Sequence, residues 1–227
     1  MSLFKRHNAS GGTFEEQRRD MVERQLRRSG IRAENVLDAM GTVPREAFVP
    51  PSEGPRAYAD GALPIEHGQS ISQPYMVGLM TEALGLSGGE RVLEIGTGTG
   101  YQAAVLAALC EQVFSVERIP ELADTATRRL AALGIANVRI TVGDGTLGWP
   151  EHAPYDGIIV TAGAPRPPDP LLHQLVEGGR LVIPVGDRHT QMLTLYVKHP
   201  DRLAERSLCA CKFVPLLGAY GWPERNP

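Results

Sequence analysis

Three acidic residues, Glu94, Glu117 and Asp144, stand at the ends of successive apolar runs in this chain of 227 residues, and Gly96, Gly98 and Gly100 follow the first of them. Alternating glycines after a strand let the backbone turn tightly and approach a ligand closely, with a helix N-terminus behind them. The spacing points to a nucleotide-type site, the plainer alternative being an ordinary strand-to-helix turn. A dinucleotide fingerprint counted from Gly96 needs glycine at 101, where Tyr101 stands; counted from Gly98 it reaches Ala103 only if the strand overruns by two residues. Glu94, one residue before the strand end, would repel a pyrophosphate in the same crevice, whereas a ligand bearing an ammonium and a sulfonium would be attracted. Glu117 can accept from both hydroxyls of a ribose. Asp144-Gly145 can reach an adenine edge. Together the three acids fit S-adenosylmethionine better than NAD. The competing readings are a buried ion pair for Glu94 and a helix N-terminal charge ahead of Pro120 for Glu117.

The elements that must position these residues alternate strand and helix. Residues 91–95, 113–116, 138–142, 155–160 and 180–185 read as strands. Helices fill the gaps: an alanine-rich one to about Leu109, one over 120–133 stopped by Gly134, and one over 170–176 stopped by Gly178-Gly179. Strands separated by helices mean βαβ units, so the expected fold is α/β: a doubly wound, mostly parallel, Rossmann-like sheet. Beyond residue 190 the pattern is strand-only, over 191–198 and 203–214, which predicts antiparallel strands at the C-terminal edge. Upstream, Ser72 is placed to cap a helix with Pro74 in its first turn that runs to Gly85. Residues 1–12 read as a flexible tail, and 13–64 as an N-terminal helical appendage. That appendage has a helix over 14–29 capped by Thr13 and Glu16, a shorter one closed by Val43-Pro44, and an irregular loop over 50–64 with four prolines and two glycines. Residues 65–227 then form the cofactor-binding catalytic domain, within one globular unit.

Composition narrows the function classes. A hydrophobic fraction of 42% is ample for a sizeable core, and a net charge of −3 makes no field that gathers nucleic acid. Residues 1–32 hold eight basic against four acidic side chains, read as a solvated helix face. Three cysteines make no disulfide framework, no Cys/His spacing resembles a zinc site, and no metal is expected. Cys209 and Cys211 read as small apolar side chains. No stretch has the length of a membrane span or the pattern of a signal peptide. A cytoplasmic monomer without membrane or nucleic-acid partners is the expectation.

The chain resembles the protein-L-isoaspartate O-methyltransferases, especially the bacterial members, from about Met21 to Gly218. The resemblance is carried by Val43-Pro-Arg-Glu-Ala-Phe-Val-Pro50, Leu63-Pro-Ile-Glu-His-Gly-Gln-Ser-Ile-Ser-Gln-Pro-Tyr-Met-Val77 and Val92-Leu-Glu-Ile-Gly-Thr-Gly-Thr-Gly-Tyr101. Downstream come Ser115-Val-Glu-Arg118, Gly143-Asp-Gly145, Tyr155-Asp-Gly-Ile-Ile-Val-Thr161, Gly178-Gly-Arg-Leu-Val-Ile-Pro-Val-Gly186 and Phe213-Val-Pro-Leu216. It implies a repair enzyme that methylates the free α-carboxyl of L-isoaspartyl residues in damaged peptides and proteins, using S-adenosylmethionine. The family's active-site serine falls on Ser72, and its cofactor contacts on Glu94, Gly96, Gly98, Glu117, Asp144 and Gly145. Gln69, Ser70 and Ile71, lying between cofactor and peptide, and Thr97, Arg118 and Thr161 in the matched motifs complete the expected cofactor-binding set. Glu66, where the family usually has glycine, and Ser70, where threonine is usual, depart from the pattern.

Methyl transfer to a carboxylate needs no general base, because a carboxyl with a solution pKa near 4 is already ionised at pH 7. A site without a Ser/His/Asp or Cys/His set is therefore coherent. Alignment of the reacting atoms, worth roughly 7 to 11 kcal/mol in favourable cases, is the protein's expected contribution. Ser72 would orient the carboxylate by donating a hydrogen bond. His67, next to the loop, reads equally as a substrate donor or a plain surface histidine, and 214–216 as extended backbone offered to a peptide.

Overall fold

The computed structural model describes residues 12–224, so the polar front tail, Gly12 excepted, lies outside the described residues. Thr13 opens α1 (Phe14–Asp20) with a capping box: the Glu16 amide donates to its hydroxyl, and its own amide donates to Glu16 at 2.6 Å. The chain continues as a π-helical stretch, Met21–Arg27, that buries Met21, Val22 and Leu26. α2 (Glu34–Thr42) buries Val36, Leu37 and Met40 and stops at Val43, held extended by the proline after it. The proline-rich segment is more regular than its composition suggests. Pro51–Arg56 forms a 3-10 turn, and β1 (Leu63–Pro64) pairs with β2 (Ser70–Ile71); prolines suit a first turn whose amides have no partner.

Ser72 does not cap the next helix, α3 (Pro74–Leu84). The residue at its start is Gln73, extended because Pro74 follows, and its side chain donates to Asp60 at 2.8 Å instead. Ser72 is one residue too far upstream. The C-terminus is as expected, with Gly85 left-handed at φ 62°.

The strands are β3 (Arg91–Ile95), β4 (Gln112–Glu117), β5 (Val138–Val142), β6 (Tyr155–Val160), β7 (Leu175–Gly186), β8 (Gln191–Lys198) and β9 (Leu203–Cys211). They form one sheet in the order β5-β4-β3-β6-β7-β8-β9, parallel through β7 and antiparallel at β8 and β9. α4 (Tyr101–Ala107) and α5 (Pro120–Ala132) make the crossovers β3 to β4 and β4 to β5. α6 (Asp169–His173) is shorter than expected. Leu175 and Val176 already belong to β7, and Leu175 is buried in the core on that face. Lys198 closes the helix by donating to the carbonyls of Leu172 at 3.0 Å and Leu175 at 2.7 Å. Gly178-Gly179 then sits inside a register shift of β7 against β6. β9 ends three residues early because the Phe213 amide leaves the ladder for the Gln191 side chain, 2.8 Å away.

One core lies between the sheet and the N-terminal helices with α3, α4 and α5; the half-buried, free Cys209 and Cys211 pack against it. The second core, around Tyr155, Leu171 and Leu175, lies on the opposite face. Among the described residues no helix is long and apolar enough to cross a membrane. Chain order reverses where β3 sits between β4 and β6, and the carboxyl ends of these strands open into a cleft there, the switch point at which open α/β sheets bind ligands.

Candidate active site

The glycine loop forms the floor of this cleft. Gly96 has φ 92°, and a Cβ there would collide with Thr161 Oγ1, so the loop can pack against β6 only because position 96 lacks a side chain. Thr161 ties the two together, donating to the carbonyls of Ile95 at 3.0 Å and Gly96 at 2.8 Å. Gly98, at φ 53°, lines the cleft and would point a Cβ into open space, so bare backbone is presented there.

Glu117 is almost wholly buried at the end of β4, and both carboxylate oxygens are oriented by backbone amides: Gly98 at 2.8 Å and Ile119 at 2.9 Å. It braces the start of α5, as the helix reading has it, and also lines the cleft, as the ribose reading requires. Arg118 beside it also lines the cleft and pairs with Glu224.

Glu94 is placed otherwise than its crevice-facing expectation. It is fully buried and does not line the cleft. Ser115 lies 2.5 Å from one of its oxygens and Thr97 2.6 Å from Ser115, while the other oxygen has no partner. Burial pushes its carboxyl up to about 8, against the lowering effect of the Ser115 hydrogen bond and with help from nearby Glu117. Its link to the loop runs through Ser115 to Thr97, because the pleat aims alternate strand residues to opposite faces.

Asp144 is likewise turned away from the cleft. It accepts from the Thr146 amide at 2.9 Å and from the Ala219 amide at 2.8 Å, so it fastens the C-terminal segment over the third strand end. Gly145 next to it does line the cleft. The fastened segment contributes a wall over 214–217, whose backbone already pairs with Gly163, the Gly163 amide donating to Val214 and the Leu216 amide to Gly163 at 2.8 Å each. One hydrogen-bonding edge of that stretch is therefore occupied.

Gln69, Ser70, Ile71 and Ser72 form the opposite rim. Ser72 is half-buried, and its carbonyl accepts from Arg45 at 2.8 Å. His67 and Glu66 are exposed in the turn before the rim, with His67 left-handed at φ 58°; neither lines the cleft. Several residues escaped the sequence reading as site components, among them Thr99, Gln102, Ile119 and Leu122 in the cleft lining, and two carry chemistry of their own. Tyr101 entered it only as a mismatch to a dinucleotide fingerprint, yet it lines the cleft. Arg45 stood inside a quoted motif with no chemistry attached, and only the tertiary structure brings it under Ser72.

The model of the protein-L-isoaspartate(D-aspartate) O-methyltransferase family matches residues 16–221. A relative from Syntrophobacter fumaroxidans, named protein-L-isoaspartate O-methyltransferase 1, is 53% identical over 92% of this chain and 98% of its own. A second from Pelobacter propionicus, named protein-L-isoaspartate O-methyltransferase 2, is 56% identical over 92% of this chain and 94% of its own. A solved protein-L-isoaspartate O-methyltransferase superposes with a TM-score of 0.80 at 34% identity, covering 90% of this chain and 67% of that one. Another, from Plasmodium falciparum and in complex with S-adenosyl-L-homocysteine, gives 0.76 at 26% identity over 88% of this chain and 98% of that one. By sequence along nearly its whole length, and by a fold that extends to the antiparallel edge, the chain belongs to the protein-L-isoaspartate(D-aspartate) O-methyltransferase family.

Proposed function

We propose that this protein repairs damaged proteins by moving a methyl group from S-adenosylmethionine to the free α-carboxyl of L-isoaspartyl residues, by direct in-line displacement. The single observation that carries the reading is the pairing of Glu117 with the glycine loop: a buried carboxylate oriented by the Gly98 amide, beside a glycine open to the cleft. Those residues fit the cofactor. Glu117 keeps free lone pairs on both oxygens for ribose hydroxyls, and Gly98 admits a ligand against bare backbone.

Gly96, Thr97, Gly98, Glu117, Arg118, Gly145 and Thr161 would hold S-adenosylmethionine, with Glu94 acting on the loop through Ser115 and Thr97, and Asp144 through Gly145 and the wall it fastens. When bound, the cofactor supplies an electrophilic methyl group on a sulfonium. Gln69, Ser70 and Ile71 separate it from the peptide. Ser72 donates its hydroxyl hydrogen to one oxygen of the isoaspartyl carboxylate and so aims the other. No residue has to remove a proton, since that carboxylate is ionised at neutral pH. The apolar side chains of Ile119 and Leu122 on one side and the 214–217 wall on the other exclude water from the meeting of anion and cation. Residues 65–227 carry this chemistry, with 13–64 as an appendage behind it. The protein works as a cytoplasmic monomer on peptides and proteins, without a nucleic-acid partner.

Incubation with methyl-labelled cofactor and a pair of peptides tests the reading. Label should enter an isoaspartyl peptide and not its aspartyl twin. Equal labelling of both, or of neither, would overturn it.

A further inference from the structure

We infer that Arg45 is a positioning residue whose uncompensated charge draws the substrate carboxylate to the Ser72 end of the cleft while its guanidinium holds the Ser72 backbone. The inference rests on the proposed function for its choice of anion. Its physical basis is independent of that choice.

Arg45 has no exposed surface. Its Nε donates to the Ala57 carbonyl at 2.7 Å and one Nη to the Ser72 carbonyl at 2.8 Å, and its other Nη has no partner. Among the described residues no carboxylate pairs with it. Glu46, adjacent in sequence, is engaged by Arg18 at 3.2 Å and by the Tyr58 hydroxyl. The guanidinium carbon lies 4.9 Å from the centroid of the Tyr101 ring. The Tyr101 hydroxyl is also buried and makes no hydrogen bond of strict geometry; it faces the guanidinium, and the two shift each other's ionisation through charge and a loose side-chain hydrogen bond, so the cation's nearest polar neighbour is a neutral phenol and not an anion. Ser72 and Tyr101 both line the cleft, so the cation sits directly behind its peptide end.

Burying a charge among neutral carbonyls is costly, and a guanidinium does not escape by losing its proton. Arginines in such surroundings are normally matched by an acid. Here no described residue supplies the matching anion, and the site next to it is the one where a carboxylate is to be held. Water is excluded from Arg45, so its field reaches the cleft with less screening than a surface cation's would. A neutral long side chain would fill the same space without that field.

The test separates charge from scaffolding. Binding of an isoaspartyl peptide and of the same peptide with its α-carboxyl converted to the carboxamide is measured on the enzyme saturated with S-adenosylhomocysteine. The wild type should prefer the acid by about 30-fold, the scale of one charge pair at intermediate distance and dielectric. In Arg45→Met the ratio should fall towards 1, with KM for the isoaspartyl peptide raised more than kcat is lowered; Arg45→Lys should retain most of the ratio. A purely structural role would weaken acid and amide alike and leave the ratio unchanged, which overturns the inference. So would a loss of S-adenosylhomocysteine affinity at an unchanged ratio, since the charge would then serve the cofactor's own carboxylate. If circular dichroism finds Arg45→Met unfolded, Arg45→Gln, which keeps a donor without the charge, supplies the same ratio. Wild-type protein that does not methylate the isoaspartyl peptide would overturn the proposed function and this inference with it; wild-type turnover with an unaltered ratio in the neutral variants overturns this one alone.

Discussion

The two walls of the cleft are built on opposite electrostatic plans. The cofactor wall stands on long, buried parallel strands, and its side chains near the floor are acids: Glu94 beneath the loop and Glu117 at its edge. The peptide wall stands on two-residue strands and a turn, and the charge buried behind it is the cation Arg45. On the proposed function a cationic donor would meet an anionic acceptor, and the contrast then rests on Glu117 on one side and Arg45 on the other, since burial keeps Glu94 protonated at neutral pH. The walls also differ in build, five- and six-residue strands on one side against two-residue strands on the other. A cofactor has one fixed shape that parallel strands can be built around, whereas damaged sites occur in many sequence contexts, and a short rim resists a varied peptide less.

The comparison breaks most completely at Gly98. Gly98→Val should abolish S-adenosylhomocysteine binding, by more than about 100-fold, because a β-branched residue is strained at positive φ and fills the space in front of the backbone. Circular dichroism should remain native; binding at normal affinity would remove the loop from the site. Next in size is Glu117→Ala, expected to weaken cofactor binding by about 3 kcal/mol through loss of charged hydrogen bonds to the ribose. Titration calorimetry reads this directly, and an unchanged dissociation constant would leave Glu117 as only the brace of α5.

The peptide wall should respond in the opposite parameter. Ser72→Ala should lower kcat by roughly 10- to 1000-fold, the range for one well-placed hydrogen bond, with cofactor affinity little changed. The wild-type rate should stay nearly flat from about pH 6 to 8, where the substrate carboxylate is already ionised. A methylated Ser72, trapped and seen by mass spectrometry, would replace direct displacement with a two-step scheme.

The smallest effect sharpens the difference between the two acids of the cofactor wall. Glu94 ionises at about 8 when folded, against 4.5 for an ordinary glutamate. Below that lower value both states hold the proton and stability is unaffected. As pH rises through the window the unfolded chain ionises first, so Glu94 makes the fold progressively less stable until its own carboxyl ionises. Glu94→Gln removes the effect. The variant should therefore exceed the wild type by on the order of 1 to 2 kcal/mol at about pH 5 to 6 in urea unfolding, the gap widening towards pH 8, and parallel pH profiles would mean that Glu94 is ionised beneath the loop.

The strands over 91–95, 138–142 and 155–160 were legible in the sequence to the residue, since a buried parallel strand is a short apolar run with its own punctuation. So was the glycine loop, because residues consecutive in sequence build it. The helix over 170–176 was not: Leu175 and Val176 suit either element, and the choice fell to Lys198, from a strand beyond the turn, capping the preceding carbonyls. Ser72 as a cap failed for a local reason that was readable, the proline two residues on; its place in the cleft was implied only by family resemblance.

What the sequence by itself determined is the order of elements, the loop with its acids, and the family, all of which depend on near neighbours or on motifs that persist as strings. The tertiary structure alone decided where side chains point and what faces them. Glu94 went beneath the loop and Asp144 to the C-terminal segment, because β-pleating and the return of the C-terminal segment over the third strand end set their partners from 21 and 75 residues away. Arg45 came to lie behind Ser72, 27 residues distant, because the appendage packs its buried face onto α3 and α4. Burial and pairing are properties of space, and a string of residue types does not contain the distances that set them.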